Sequence, residues 1–183
     1  MKENAIKRTP WAWTIGTFFG VGNLKPGPGT YGSVAAMLLW MLAGHFLVVS
    51  NEHTVSVGST TVVLHTHFVL FALLTVLAMI AVTLIGIPAS TIVAREAGRE
   101  DPGFVVIDEV AGQFFALVAL APSWKHAFLG LALFRLFDIW KPWPIRRFED
   151  LPEGTGIMLD DVVAGAIAFV VAQLLVHFVP ALR

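Results

Sequence analysis

The run from Phe68 to Ile87, "FVLFALLTVLAMIAVTLIGI", is twenty residues without one charged side chain. As an α-helix rising about 1.5 Å per residue it would be ~30 Å long, the thickness of a bilayer's hydrocarbon core. Inside that core each backbone N–H and C=O must find its partner within the protein, so a helix is the form such a run takes. Pro88 follows and is expected to close it. Val34–Val49 and Val162–Val179 are two further uncharged stretches, read as spans. Between the second and third spans, "FVVIDEVAGQFFALVALAP" and "HAFLGLALFRLFDIW" are shorter apolar stretches that carry charge. The expected fold is all-α: a multi-helical integral membrane protein of about five short apolar helices, one domain over residues 1–183.

Composition supports a lipid environment. Hydrophobic residues make up 56% of the chain and charged residues 14%, against ~45–50% and ~25% in an ordinary soluble domain. A net charge of -1 speaks against a cationic nucleic-acid binder. With no cysteine there is no disulfide framework, thiolate nucleophile or cysteine metal site. The basic opening "MKENAIKRTPWAW" is not followed by an apolar region with a small-residue cleavage site, so no cleaved signal peptide is expected.

Basic residues orient the spans. Lys2, Lys7, Arg8 and Lys25 precede the first, the 50–67 segment has no Lys or Arg, Arg95 and Arg99 follow the second, and Lys141, Arg146 and Arg147 precede the last. Threading five crossings with the N-terminus inside leaves only Lys125 and Arg183 on the outer side. The segments 22–33, 95–109 and 138–161, which hold the polar and Gly/Pro-rich parts of the chain, then meet as loops on the cytoplasmic face.

Four acidic clusters share that face: Asp101, Asp108–Glu109, Asp138 and Asp160–Asp161. Gathered carboxylates repel unless a cation sits among them, and hard oxygen ligands suit Mg²⁺ or Mn²⁺. Acids at a helix N-terminus also complement its dipole, and Asp160–Asp161 ahead of "VVAG" fit that simpler role. Arg135, Asp138 and Lys141 fall at i, i+3 and i+6 on a helix that Pro142 ends, so neighbours share one side. Trp140 and Trp143 would lie at headgroup level. The loop "GVGNLKPGPGTYGS", Gly20–Ser33, leads into the helix at Val34 and offers backbone N–H groups to an anion. It is not a Walker A loop, because no Gly-Lys-Ser/Thr closes it. His65 and His67 have a metal-compatible spacing but lie on the side away from the acids.

"NLKPGPGTYGS", "VIDEVAGQ", "FRLFDIWKPWPIRRFED" and "GIMLDDVVAG", in this order from about Gly20 to the last helix, resemble the phosphatidylglycerophosphatase A family. The resemblance implies a Mg²⁺-dependent phosphatase of the bacterial inner membrane that converts phosphatidylglycerophosphate to phosphatidylglycerol. It implies metal ligands among Asp108, Glu109, Asp138, Asp160 and Asp161, and catalytic roles for Asp108, Asp138, Lys141 and Asp161. Thr30, Ser33, Arg135 and Arg146 become substrate-binding candidates. The chain departs from the family where a Gly-Gly pair usually precedes "GIM"; here Glu153-Gly154-Thr155-Gly156 stands. The expected partners are the lipid substrate and the membrane, with a homodimer allowed. A phosphotransferase of the CDP-alcohol type would need its Asp-Gly…Ala-Arg…Gly…Asp…Asp pattern, which the chain lacks. The other membrane phosphatase type needs Pro-Ser-Gly-His, also missing. An ion carrier would place its acids near the midplane on broken helices, whereas these lie at helix ends.

Overall fold

The computed structural model describes residues 8–48, 54–57, 60–63 and 66–182. Lys2, Lys7, His65 and Arg183 lie outside the described residues. Among the described residues seven α-helices follow in chain order: α1 (Pro10–Gly16), α2 (Pro28–Leu47), α3 (Thr66–Ala97), α4 (Ile107–Leu117), α5 (Trp124–Trp140), α6 (Ile145–Glu149) and α7 (Glu153–Phe178). One antiparallel hairpin, β1 (Thr54–Val57) and β2 (Thr60–Val63), joins α2 to α3, with Thr54 paired to Val63. Its residues are almost all Thr and Val, which favour extended backbone. The all-α expectation holds for the rest of the described chain.

Among the described residues, three helices are long and apolar enough to cross a membrane: Pro28–Leu47, His67–Ala97 and Glu153–Phe178. The expected multi-helical membrane fold is what the chain adopts, with spans of 20, 31 and 26 residues. At 32 residues, α3 is about 48 Å long and outruns a ~30 Å core. Pro88 lies inside it rather than closing it. The missing N–H leaves the Leu84 carbonyl without its helical donor, but packing carries the helix onward. Ala89, Val93 and Ala94 are buried in one cluster with Ala12 of α1, Val110 and Ala111 of α4, and Met158 of α7. Just past the proline, Thr91 Oγ1 donates to the Ile87 carbonyl at 2.9 Å.

The two shorter apolar stretches form α4 and α5. At 11 residues α4 is about 16 Å long, too short to cross by itself. It runs through the middle of the bundle with Val110, Ala111, Ala116 and Leu117 buried. The turn after it packs Pro122 against Gly44, near the far end of α2. From there α5 returns toward the starting end. The beginnings of α2, α4 and α7 and the ends of α3 and α5 thus gather at one end of the bundle. There Glu96 of α3 accepts from Thr9 N, Thr9 Oγ1 and Trp13 Nε1, tying α1 to that end.

Candidate active site at the polar end of the bundle

The site depends on how closely α4 and α7 approach. Gly112 and Gly165 face each other across the interface. A Cβ on Gly165 would run into the Gly112 backbone, and one on Gly112 would meet the Asp161 carbonyl and the Phe134 ring. Two helices can touch backbone to backbone only where no side chain intervenes. That contact brings the first turn of α4, with Asp108 and Glu109, against α7 at Asp161. One carboxylate oxygen from each of Asp108, Glu109 and Asp161 lies within 4.8 Å of the others.

Asp160 and Asp161 are not at the mouth of a helix. The span expected from Val162 begins at Glu153, so both acids sit two turns inside α7, and Pro152 is its N-cap. This removes the capping role for that pair. Asp161 is 3% exposed and Asp108 9% exposed. Asp108 Oδ1, Glu109 Oε2 and Asp161 Oδ2 are buried without a hydrogen-bond partner. Charges at such spacing repel by about 3–4 kcal/mol per pair at an effective dielectric near 20. Buried oxygens with no donor, converging from two helices, are what an oxygen-coordinated divalent cation requires. The donor set fits Mg²⁺.

The other two expected ligands are held by cations of the chain itself. Asp138 pairs with Arg135 Nη1 at 2.5 Å, one helical turn away on α5. Asp160 accepts from Lys141 Nζ at 2.7 Å, and Glu149 of α6 accepts from the same ammonium at 3.0 Å. Glu149 was not singled out from the sequence; its only signal was an acid eight residues after Lys141. Lys141 takes left-handed backbone at the C-cap of α5, with φ 44°, and turns its chain away from the helix there. Burial disfavours its charge, but the hydrogen bonds and attraction of Asp160 and Glu149 outweigh that and hold its pKa above the ordinary lysine range. It stays an ammonium and cannot serve as a general base near neutrality.

Arg135 also approaches Glu109 Oε1 at 3.7 Å. The start of α2 closes this side: a Cβ on Gly29 would collide with the Glu109 carboxylate and come near the Arg135 guanidinium. The helix begins at Pro28 with Gly27 as its left-handed N-cap, not at Val34. Thr30 and Ser33 are therefore helical, which corrects their placement in a loop. Thr30 is exposed in the first turn. Ser33 is fully buried and its hydroxyl donates to the Gly29 carbonyl at 3.0 Å. Arg146 is exposed, and its Nε donates to the Lys141 carbonyl at 3.1 Å.

A cavity of about 720 Å³ adjoins the cluster through Asp160 and Asp101, and is bounded by Arg95, Arg99, Glu149 and Glu153. Glu153 does not join the buried acids. It makes a two-point bond with Arg95, both contacts at 2.7 Å, on the exposed rim. Its φ of 55° lies in the left-handed region that glycine occupies freely. That backbone explains why a glycine suits the position, and Arg95 explains how a glutamate is accommodated.

The spans and the buried acidic cluster, flanked by Arg and Lys at one end of the bundle, define a helical membrane protein with a polar site suited to a phosphorylated ligand. The family model described as phosphatidylglycerophosphatase A matches residues 14–176. The phosphatidylglycerophosphatase A of Escherichia coli K12 is 32% identical over 181 residues, covering 98% of this chain and 91% of that protein. That of Haemophilus influenzae is 35% identical, covering 84% of this chain and 81% of its own. A Bacteroides thetaiotaomicron protein provisionally named a phosphatidylinositol-3-phosphatase is also 35% identical, covering 85% of this chain and 87% of its own. No solved structure matches. The chain belongs to the phosphatidylglycerophosphatase A family.

Proposed function

We propose that the chain is a phosphoric monoester hydrolase that converts phosphatidylglycerophosphate to phosphatidylglycerol and phosphate, on the cytoplasmic face of the bacterial inner membrane, with Mg²⁺ as cofactor. The observation that carries this reading is the convergence of Asp108, Glu109 and Asp161, three buried acids with unpartnered oxygens, beside Arg135 and Lys141. Family membership supports the phosphatase activity and the substrate.

The reaction needs water to attack phosphorus, the bond from phosphorus to the glycerol oxygen to break, and that oxygen to gain a proton. Asp108, Glu109 and Asp161 would hold the metal. What Mg²⁺ contributes when bound is withdrawal of charge from the phosphoryl oxygens and a lower pKa for a coordinated water. Arg135, between Glu109 and Asp138, offers its guanidinium to a phosphoryl oxygen, a geometry that planar paired donors suit. Asp138, with one oxygen on Arg135 and set beside the trio, takes the proton from the attacking water and returns it to the departing glycerol oxygen. Lys141 fixes Asp160 and Glu149, two residues that line the cavity, and adds positive charge beside them. The first turn of α2, where Gly29 abuts Glu109 and Arg135, meets the same region. Thr30 in that turn remains a candidate for binding the phosphate at a helix N-terminus, which favours an anion. The neighbouring cavity receives the glycerol headgroup while the acyl chains stay in the bilayer. All these side chains come from one copy of the chain, so a dimer is not required for chemistry.

Purified protein in lipid nanodiscs, offered phosphatidylglycerophosphate, phosphatidylinositol 3-phosphate and phosphatidic acid separately, tests the substrate. Fastest phosphate release from phosphatidylglycerophosphate is expected. Preference for the inositol lipid would transfer the reading to the headgroup named for the Bacteroides relative.

A further inference from the structure

Gln113 of α4 is completely buried, and neither its amide nitrogen nor its amide oxygen has a hydrogen-bond partner. Burying an unpaired amide is unfavourable, a cost that an apolar residue of similar size would avoid. A position like this, in the middle of a greasy helix, calls for a use.

Its place in α4 supplies one. Gln113 stands four residues after Glu109, so the two share a stripe of the helix. Side chains on an α-helix lean back toward its N-terminus, over the preceding turn. That rule aims the amide of Gln113 at the turn carrying Glu109, whose Oε2 is itself buried and unpartnered while Oε1 faces Arg135. A donor and an acceptor, each orphaned, stand four residues apart on the same helix.

We propose that Gln113 is a positioning residue for the active site. Through one bridging water its Nε2–H reaches Glu109 Oε2 and fixes the carboxylate with Oε1 toward Arg135 and the neighbouring acids. This rests on the reading of the trio as a divalent-cation site. A group that orients a metal ligand typically affects metal affinity or activity about 10–100-fold when removed. A merely structural amide does the opposite of harm when removed: replacing a buried unpaired polar group by an apolar one is neutral or stabilising.

The test compares wild type with Gln113→Leu and Gln113→Met in nanodiscs, following thermal unfolding, phosphate release, and Mn²⁺ binding by the electron paramagnetic resonance of the free ion. The expected result for both variants is an unfolding midpoint at or above wild type, with Mn²⁺ affinity and turnover each lowered about 10–100-fold. Wild-type affinity and turnover in either folded variant would overturn the proposal. Failure of both variants to fold would make Gln113 a folding residue and overturn it equally. Wild-type protein that binds no Mn²⁺ would defeat the metal reading instead; turnover of the variants then decides Gln113 alone, with wild-type rates overturning its role.

Discussion

Asp161 and Asp138 are both buried acids at the polar end, yet their surroundings differ. Asp161 has an unpartnered oxygen among carboxylates, whereas Asp138 is paired with Arg135. Replacing either by asparagine keeps shape and removes charge. For Asp161→Asn, turnover is expected to fall by ~10²-fold or more together with metal affinity, while the protein still inserts and folds. For Asp138→Asn, turnover is expected to fall similarly but Mn²⁺ affinity to stay close to wild type. Equal loss of affinity in both would make Asp138 a ligand rather than the base. At the rim, Glu153→Gly exchanges a left-handed glutamate for the residue that backbone favours and removes only an exposed ion pair. Activity within about twofold of wild type is expected, because such pairs contribute little. The acids, Arg135 and Lys141 were legible from the sequence because acid and base residues stand out in apolar stretches. Which acids meet one another was not. Asp160 and Asp161 are adjacent in sequence, but only Asp161 joins the trio, and that follows from helix rotation against α4. Gln113 escaped notice because an uncharged amide announces nothing until its lack of partners is seen.

The elements show why sequence boundaries misled at three places. In α2 and α7 the first turns are rich in glycine, a poor helix former, so both helices read as starting late, at Val34 and Val162. Packing supplies what propensity lacks. Gly29 must lie flush against Glu109, and Gly154 N donates to Thr91 Oγ1 at 3.1 Å, fastening the start of α7 to α3. In α3 a proline read as a terminator is carried through by tertiary contact on both sides of the break. The α4–α7 contact is the junction on which the site depends most. Gly165→Val would push α7 off the Gly112 backbone. It is expected to lower stability by about 1–3 kcal/mol, the usual cost of overpacking, and to lower activity further than that, because Asp161 moves away from Asp108 and Glu109. Thermal unfolding and phosphate release on the same preparation check both. Wild-type activity in a destabilised variant would show that the contact serves folding alone.

For the whole molecule, the number of long spans and the gathering of polar ends are geometric, while the side of the membrane follows from charge. Arg8, Arg95, Arg99, Arg146 and Arg147 cluster at the site end, and that asymmetry supports the proposed cytoplasmic orientation. Because Asp108, Asp138 and Asp160 are buried, exposed neighbours make better reporters. In a chain without native cysteine, Arg99→Cys and Asp150→Cys are expected to resist an impermeant thiol reagent in intact cells, and Trp124→Cys at the other end of α5 to react. The reverse pattern would invert the orientation. The central claim is that three buried carboxylates hold a divalent cation for hydrolysis of a lipid phosphomonoester. It is tested most directly by phosphate release from phosphatidylglycerophosphate by the purified protein, after exhaustive chelation and again after adding Mg²⁺. Activity should vanish on chelation and return with Mg²⁺; full turnover in the chelated protein would contradict the account.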